Sequence, residues 1–204
     1  EIAQCLVGSE MCIRDRDIPM LSNIPNLVYL APTTKEEYIA MLDWSIEQNE
    51  HPVAIKLPGG AMVSGRPVTK NFGDLNKYEV TQKGSKVALL GLGTFYSLAN
   101  AVADEMKSEL GIDATVINPY YITGLDEELL ESLKADHSVV VTIEDGILDG
   151  GFGEKIARFY GDSDMKVLNY GLKKEFLDRY DVEEVLKDNR LDAEMIAEDV
   201  KGLL

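Results

Sequence analysis

The stretch His137–Phe159, HSVVVTIEDGILDGGFGEKIARF, decides how the rest of the chain is read. It opens on the β-branched run Val139, Val140, Val141 and carries two carboxylates, Glu144 and Asp145. It then passes through Gly150-Gly151-Phe152-Gly153 and enters a helical pattern near Glu154. A β-branched run, a glycine-rich turn and a helix start, in that order, predict a strand, a crossover loop and a helix N-terminus. In open parallel sheets the carboxyl end of a strand is where ligands collect, so this junction is the first candidate site.

Outward from it the same alternation repeats. Lys86–Leu90 reads as a buried strand, and Gly91-Leu92-Gly93-Thr94 turns into a helix with Leu98, Ala101, Val102 and Met106 on one face. Ala114–Pro119 is the next strand, Leu125–Leu133 a short acidic helix, Ser138–Ile143 a third strand, Gly153–Tyr160 a helix and Lys166–Tyr170 a fourth strand. Two helical pieces, Asp181–Lys187 and Asp192–Gly202, close the chain. Upstream, Leu27–Ala31 is a short strand ended by Pro32. Thr33 and Thr34 each have a Glu three residues later (Glu36, Glu37), the capping-box spacing, and Tyr38, Met41, Leu42 and Ile46 follow at helical intervals to about Asn49. His51-Pro52 breaks that helix, and Val53–Leu57 is a strand closed by Pro58-Gly59-Gly60. Strand, helix, strand at this length is a right-handed parallel crossover. Residues 61–84 hold Gly65, Pro67, Gly73 and Gly84 among polar residues and suit a linker or short hairpin.

The fold class expected is α/β, a three-layer α/β/α arrangement around a mostly parallel sheet, preceded by a partial α/β domain. The expected divisions are 17–66, a linker at 67–84 and 85–204.

Composition narrows the function. Twenty basic against 36 acidic residues give a formal charge of -16 over 204 residues, which repels nucleic acid and anionic membrane surfaces. No apolar run approaches the roughly 18 residues of a membrane span, so a cytoplasmic address is the default expectation. Cys5 and Cys12, seven apart with no His nearby, build neither a disulfide framework nor a zinc site. They lie in CLVGSEMCIRDR, which looks like translated sequencing adapter. Residues 1–16 are therefore expected to be a non-native leader on a truncated sequence and are set outside the fold reading.

The candidate sites each have a plain counterpart. Gly91-x-Gly93 with Asp113 about twenty residues on invites a dinucleotide reading. Tyr96 occupies the third glycine position, however, and Asp113 precedes its strand instead of following one, so a tight strand-to-helix turn is the better reading. Glu144 and Asp145, with Asp136, Asp149 and Glu154 near, could be an acid/base pair or metal ligands. With no His or Cys beside them in so acidic a chain, a solvated or helix-capping role is preferred. The Gly150–Gly153 turn offers amides to an anion or room for close helix packing. His51 and His137 read as strand-edge residues ahead of apolar runs.

Taken together, VYLAPTTKEEYIAML (28–42), HPVAIKLPGG (51–60), KVALLGLGTFYSLANAV (86–102) and VVVTIEDGILDGGFGEKIARFYGD (139–162) resemble the transketolase-like thiamine diphosphate enzymes. The resemblance spans residues 17–204 and implies the end of a pyrimidine-binding domain followed by a complete C-terminal domain. It is nearest to the synthase branch, in which the thiamine ylide attacks pyruvate, carbon dioxide leaves, and the enamine adds to glyceraldehyde 3-phosphate on the way to isoprenoids and thiamine.

For the parent enzyme the resemblance implies thiamine diphosphate and Mg as cofactors, pyruvate and glyceraldehyde 3-phosphate as small-molecule substrates, and a homodimer. It places the activating glutamate, the Mg ligands and the diphosphate loop upstream. No catalytic, cofactor or metal residue is therefore assigned in this chain, which alone is expected to be inactive and to bind no cofactor. The family's His-x-Gly-x-x-Asp segment would end at Asp17, with Cys12 and Arg14 where its His and Gly belong. Where the synthases carry a phosphate-holding Arg after the Pro of the strand exit, this chain has Gly59; Lys56 nearby is the remaining candidate for a point charge on substrate. That departure leaves two other readings open. One is the beta part of a transketolase or a 2-oxo acid dehydrogenase, and the other is a non-catalytic dimerisation or regulatory module.

Overall fold

The computed structural model describes residues 16–57, 62–65, 67–68, 70–175 and 181–204. The leader cysteines, Arg14 and Gly59 lie outside the described residues. The described residues open with α1 (Asp17–Leu21), β1 (Val28–Leu30), α2 (Lys35–Glu47) and β2 (Val53–Ile55). β1 and β2 pair in parallel, with Val28, Tyr29 and Leu30 opposite Val53, Ala54 and Ile55, which is the expected crossover. Both threonines at the start of α2 are used. Thr34 is the N-cap and accepts from the Glu37 amide, while the Glu37 carboxylate reaches back to the amide and hydroxyl of Thr33 at 2.6 and 2.9 Å.

α2 differs from expectation on its apolar face. Met41 is buried, but Leu42 and Ile46 are exposed together with Ile39. The sequence marks a row of apolar side chains at helical spacing; which of them finds a neighbour depends on what packs there, and β1 and β2 cover only the Met41 side.

The second unit is a five-stranded sheet in the order β3 (Glu79–Gln82), β5 (Thr115–Asn118), β4 (Lys86–Gly91), β6 (His137–Ile147) and β7 (Lys166–Leu172). All pairs are parallel except β3 with β5. β3 falls inside the stretch read as linker or hairpin. Its four residues are too few to show a period, and it is recruited as an edge strand by pairing with β5.

Helices α3 (Tyr96–Leu110), α4 (Glu127–Leu133), α5 (Phe152–Phe159), α6 (Val182–Asp188) and α7 (Ala193–Lys201) complete the chain. The period-two alternation of β4 sorts the core into two faces. Val87 and Leu89, with Val139 and Val141, pack against Ala99, Val102, Ala103 and Met106 of α3 and Ile196 and Val200 of α7. Ala88 and Leu90, with Val140 and Ile117, pack against Leu130 and Leu133 of α4 and Phe152 and Ile156 of α5. Ala99 and Ala103 take the inward positions on α3 and Ala101 is exposed, so the buried face is rotated slightly from the expected one. Tyr29, Ala31 and Ile18 join the second cluster, which seats the small two-stranded unit on the α4/α5 side of the sheet. The result is the mixed α/β, mostly parallel three-layer architecture the pattern predicts. Among the described residues no helix is long and apolar enough to cross a membrane.

Candidate functional site

β6 runs further than the apolar pattern indicates, to Ile147, so Glu144 and Asp145 lie within it. A register irregularity against β7 between Ile143 and Ile147 accompanies them. Glu144 is fully buried and turned onto the start of α5, where its two oxygens accept the amides of Phe152 and Gly153, each at 2.8 Å. These are orphan donors of the first helical turn, on which the helix dipole also favours negative charge.

The glycines make this contact possible. A Cβ on Gly151 would stand 2.5 Å from a Glu144 oxygen, and one on Gly153 would stand 2.5 Å from the Thr142 hydroxyl. The Gly-Gly-Phe-Gly run is therefore a cradle for a buried carboxylate. Its free amides are accounted for, since Gly150 donates to the Glu154 carboxylate and Gly151 to the Leu148 carbonyl. Burial pushes the Glu144 carboxyl up to about 7, against the opposing pull of the two amides and of Lys155. Lys155 on α5 is pushed down to about 8 by burial, with Glu144 drawing it back up and Arg158 adding to the depression; its ammonium donates to the Ile122 carbonyl at 3.0 Å.

A second charged cluster lies within the first unit, beside Asp145 of β6. The Lys56 ammonium, just past β2, contacts both carboxylate oxygens of Asp17 at 2.7 and 2.8 Å, with the Lys56 side chain 6% and the Asp17 side chain 17% exposed. The buried Tyr29 hydroxyl is hydrogen-bonded to Asp17. Burial first, and then Asp17 and Asp145, push its ionisation far above the ordinary phenol range. Lys56 and Asp145 line a tight pocket of about 10 Å³ with Pro32, Leu92 and Thr94, roughly the room of one water. The two residues singled out separately in the sequence, Asp17 and Lys56, thus meet across 39 positions.

Larger spaces lie on either side of this junction. One of about 760 Å³ is bounded by Thr34 and Glu37 of the first unit and by Lys70, Glu79, Tyr96 and Tyr120. Another of about 550 Å³ lies over the second turn of α5.

The remaining candidates have local roles. Gly91 packs so closely on α3 that a Cβ would lie 2.6 Å from the Tyr96 Cα, and Asp113 is ion-paired with Lys107 at 2.8 Å. His137 is buried between the Thr115 hydroxyl and the Asp136 carboxylate, and His51 meets the Asn26 carboxamide.

With this geometry in place, comparison with known proteins is decisive. The family profile for the Transketolase, C-terminal domain matches residues 76–196. The chain belongs to that family. It is 33% identical over 190 residues to the 1-deoxy-D-xylulose-5-phosphate synthase of Clostridium tetani, covering 92% of this chain and 30% of that protein. A synthase of the same name from Francisella philomiragia is 32% identical over 206 residues, covering 98% of the chain and 32% of the relative. The chain thus spans about a third of the length of the curated relatives it matches. Among solved structures, one described as a split gene transketolase, inactive beta4 tetramer, superposes with a TM-score of 0.76 at 23% identity, over 92% of this chain and 61% of that one.

Within this transketolase C-terminal domain the buried Glu144 cradle and the α3 turn are building elements of the sheet's carboxyl edge. The polar groups that sequence reading missed are Tyr29 and Lys155. Tyr29 read simply as a strand residue, and Lys155 as one polar position on an amphipathic helix; their burial comes from the packing of α1 and α5.

Proposed function

We propose that this chain is the C-terminal part of a thiamine diphosphate-dependent transferase of the 1-deoxy-D-xylulose-5-phosphate synthase type. In this reading the longer enzyme condenses pyruvate with glyceraldehyde 3-phosphate and releases carbon dioxide. The observation that carries the reading is the 33% identity to the synthase of Clostridium tetani across 92% of the chain. Among the described residues no group of three or more His, Cys, Asp or Glu side chains could hold a metal ion. In this reading the cofactor, its Mg ion and the carbanion chemistry belong to the remainder of the longer protein.

What these residues contribute is positioning. The Asp17–Lys56 pair and Tyr29 brace the first unit where it meets Asp145 of the five-stranded sheet, and the Glu144 cradle fixes the helix on which that edge rests. Domain limits of 17–66 and 85–204, a symmetric dimer and a cytoplasmic address belong to the same proposal. The Gly59 departure keeps a transketolase-type acceptor as the second reading, since the guanidinium that would grip the substrate phosphate is replaced by hydrogen.

Acceptor-dependent decarboxylation tests the assignment. The longer enzyme containing this chain, given thiamine diphosphate, Mg and pyruvate, should release carbon dioxide faster when glyceraldehyde 3-phosphate is added. Release that ignores this acceptor would sink the synthase reading, and transfer of a two-carbon ketol unit from a ketose phosphate to an aldopentose phosphate, with no carbon dioxide released, would support the transketolase one.

A further inference from the structure

The Gly150–Gly153 turn raised the question of anion binding, and the structure gives its backbone amides to Glu144, Glu154 and Leu148. The next turn of the same helix is arranged differently. Lys155 and Arg158, three residues apart and therefore neighbours on one face of α5, both border the 550 Å³ cavity. In a chain of formal charge -16, this places two cations side by side. Lys155 spends one donor on the Ile122 carbonyl, and the Arg158 side chain makes no hydrogen bond or ion pair among the described residues.

Two like charges this close repel one another, and Lys155 is also partly withdrawn from water, so the arrangement carries a cost that a bound anion would offset. Another part of the lining supplies an independent sign. Ser22 lines the same cavity, is 8% exposed, and its Oγ has no hydrogen-bond partner among the described residues. Such groups are seldom left unpaired in a packed protein. Asn76, whose carboxamide can donate two further bonds, completes the donor set. Glu127 and Glu154 also border the cavity, both exposed, and Glu154 is occupied by the Gly150 amide.

We propose that this cavity is a binding site for a small phosphate-bearing molecule, with Lys155 and Arg158 facing the phosphate and Ser22 and Asn76 donating from other elements of the lining. A dianion matches two adjacent cations, and a tetrahedral group with several acceptor oxygens matches donors that converge from different elements. The volume is that of a metabolite site, and the chain's overall negative charge disfavours an extended polyanion.

Calorimetric titration of the chain, at constant ionic strength in chloride, tests this with inorganic phosphate and with glycerol 3-phosphate as probes. Both should bind at a single saturable site, and acetate at the same concentration should not compete. Tighter binding of the ester would identify an organic phosphate as the ligand, and equal binding would show that the phosphate group alone is recognised. Arg158→Gln, an exposed position that leaves the fold intact, should weaken binding about tenfold, and Ser22→Ala by a few-fold, with unchanged circular dichroism. Phosphate heats indistinguishable from chloride, or full affinity retained in Arg158→Gln, would overturn the proposal. Because binding is read without any turnover, the result stands or falls separately from the synthase assignment.

Discussion

Glu144 and Asp17 are both carboxylates drawn out of bulk water near the same edge of the molecule, and they are accommodated in opposite ways. Glu144 is met by two amides from the helix that follows it within the same strand–loop–helix unit, eight and nine residues along the chain. Asp17 is met by a full positive charge carried in from another segment, Lys56. The amide cradle neutralises a charge with dipoles, so burial still wins and the Glu144 carboxyl titrates near 7. The ion pair joins two segments but depends on both partners being present, because removing one leaves the other a mostly buried charge without its counter-ion. A local cradle rigidifies one junction; a long-range pair holds two segments of the first unit together.

The largest effect should come from breaking the pair. Lys56→Met leaves Asp17 largely buried without its cation and should cost about 3–5 kcal/mol of unfolding free energy in denaturant titrations at pH 7. Adding Asp17→Asn to it should recover more than half of that. A cost below about 1 kcal/mol for the single change would show that the pair behaves as an ordinary surface contact.

Next comes the cradle's pH dependence. In the unfolded chain Glu144 titrates near its ordinary 4.5, and in the fold at about 7. Between those values the folded protein keeps a proton that the unfolded chain releases. This residue's contribution is therefore fully present below pH 4.5 and is lost as pH rises through 7, a change of about 3 kcal/mol. Glu144→Gln cannot titrate, so the wild-type decline from pH 5 to 7.5 should flatten in the variant. Staying below pH 8 avoids the opposite contribution of Lys155, which begins there. An equal decline in both proteins would mean that Glu144 is not the group responsible.

The smallest effect tests the shape of the cradle alone. Gly151→Ala places a methyl against the Glu144 carboxylate and should cost about 2 kcal/mol, whereas Gly161→Ala, whose nearest contact is at 3.4 Å, should cost well under 1 kcal/mol. Thermal melts of the two side by side would show whether the glycine run is built around the carboxylate.

Legibility in the sequence followed the range of the interactions. The β4, β5, β6 and β7 strands announced themselves through β-branched and apolar runs, and α2 through threonines and glutamates at capping spacing. Each signal arises from contacts a few residues long. The Glu144 cap was legible in outline for the same reason, as a carboxylate between a strand and a glycine-rich helix start. β3 was not, because its four residues become a strand only by pairing with β5. The face of α2 was misread for a related reason, since exposure of Ile39, Leu42 and Ile46 depends on what packs there and not on their spacing.

The order of residues alone determined the α/β alternation, the helix starts, the acidic surface and the membership of a family recognisable by its motifs. Those properties are set by backbone preference, side-chain period and charge, all of which act along the chain. The tertiary structure decided that Lys56 faces Asp17 and lines a tight pocket, that Tyr29 is buried beside that pair, and that Lys155 and Arg158 share a cavity with Ser22. These are matters of burial and long-range approach, and their energies exist only once water has been excluded by elements far apart in sequence.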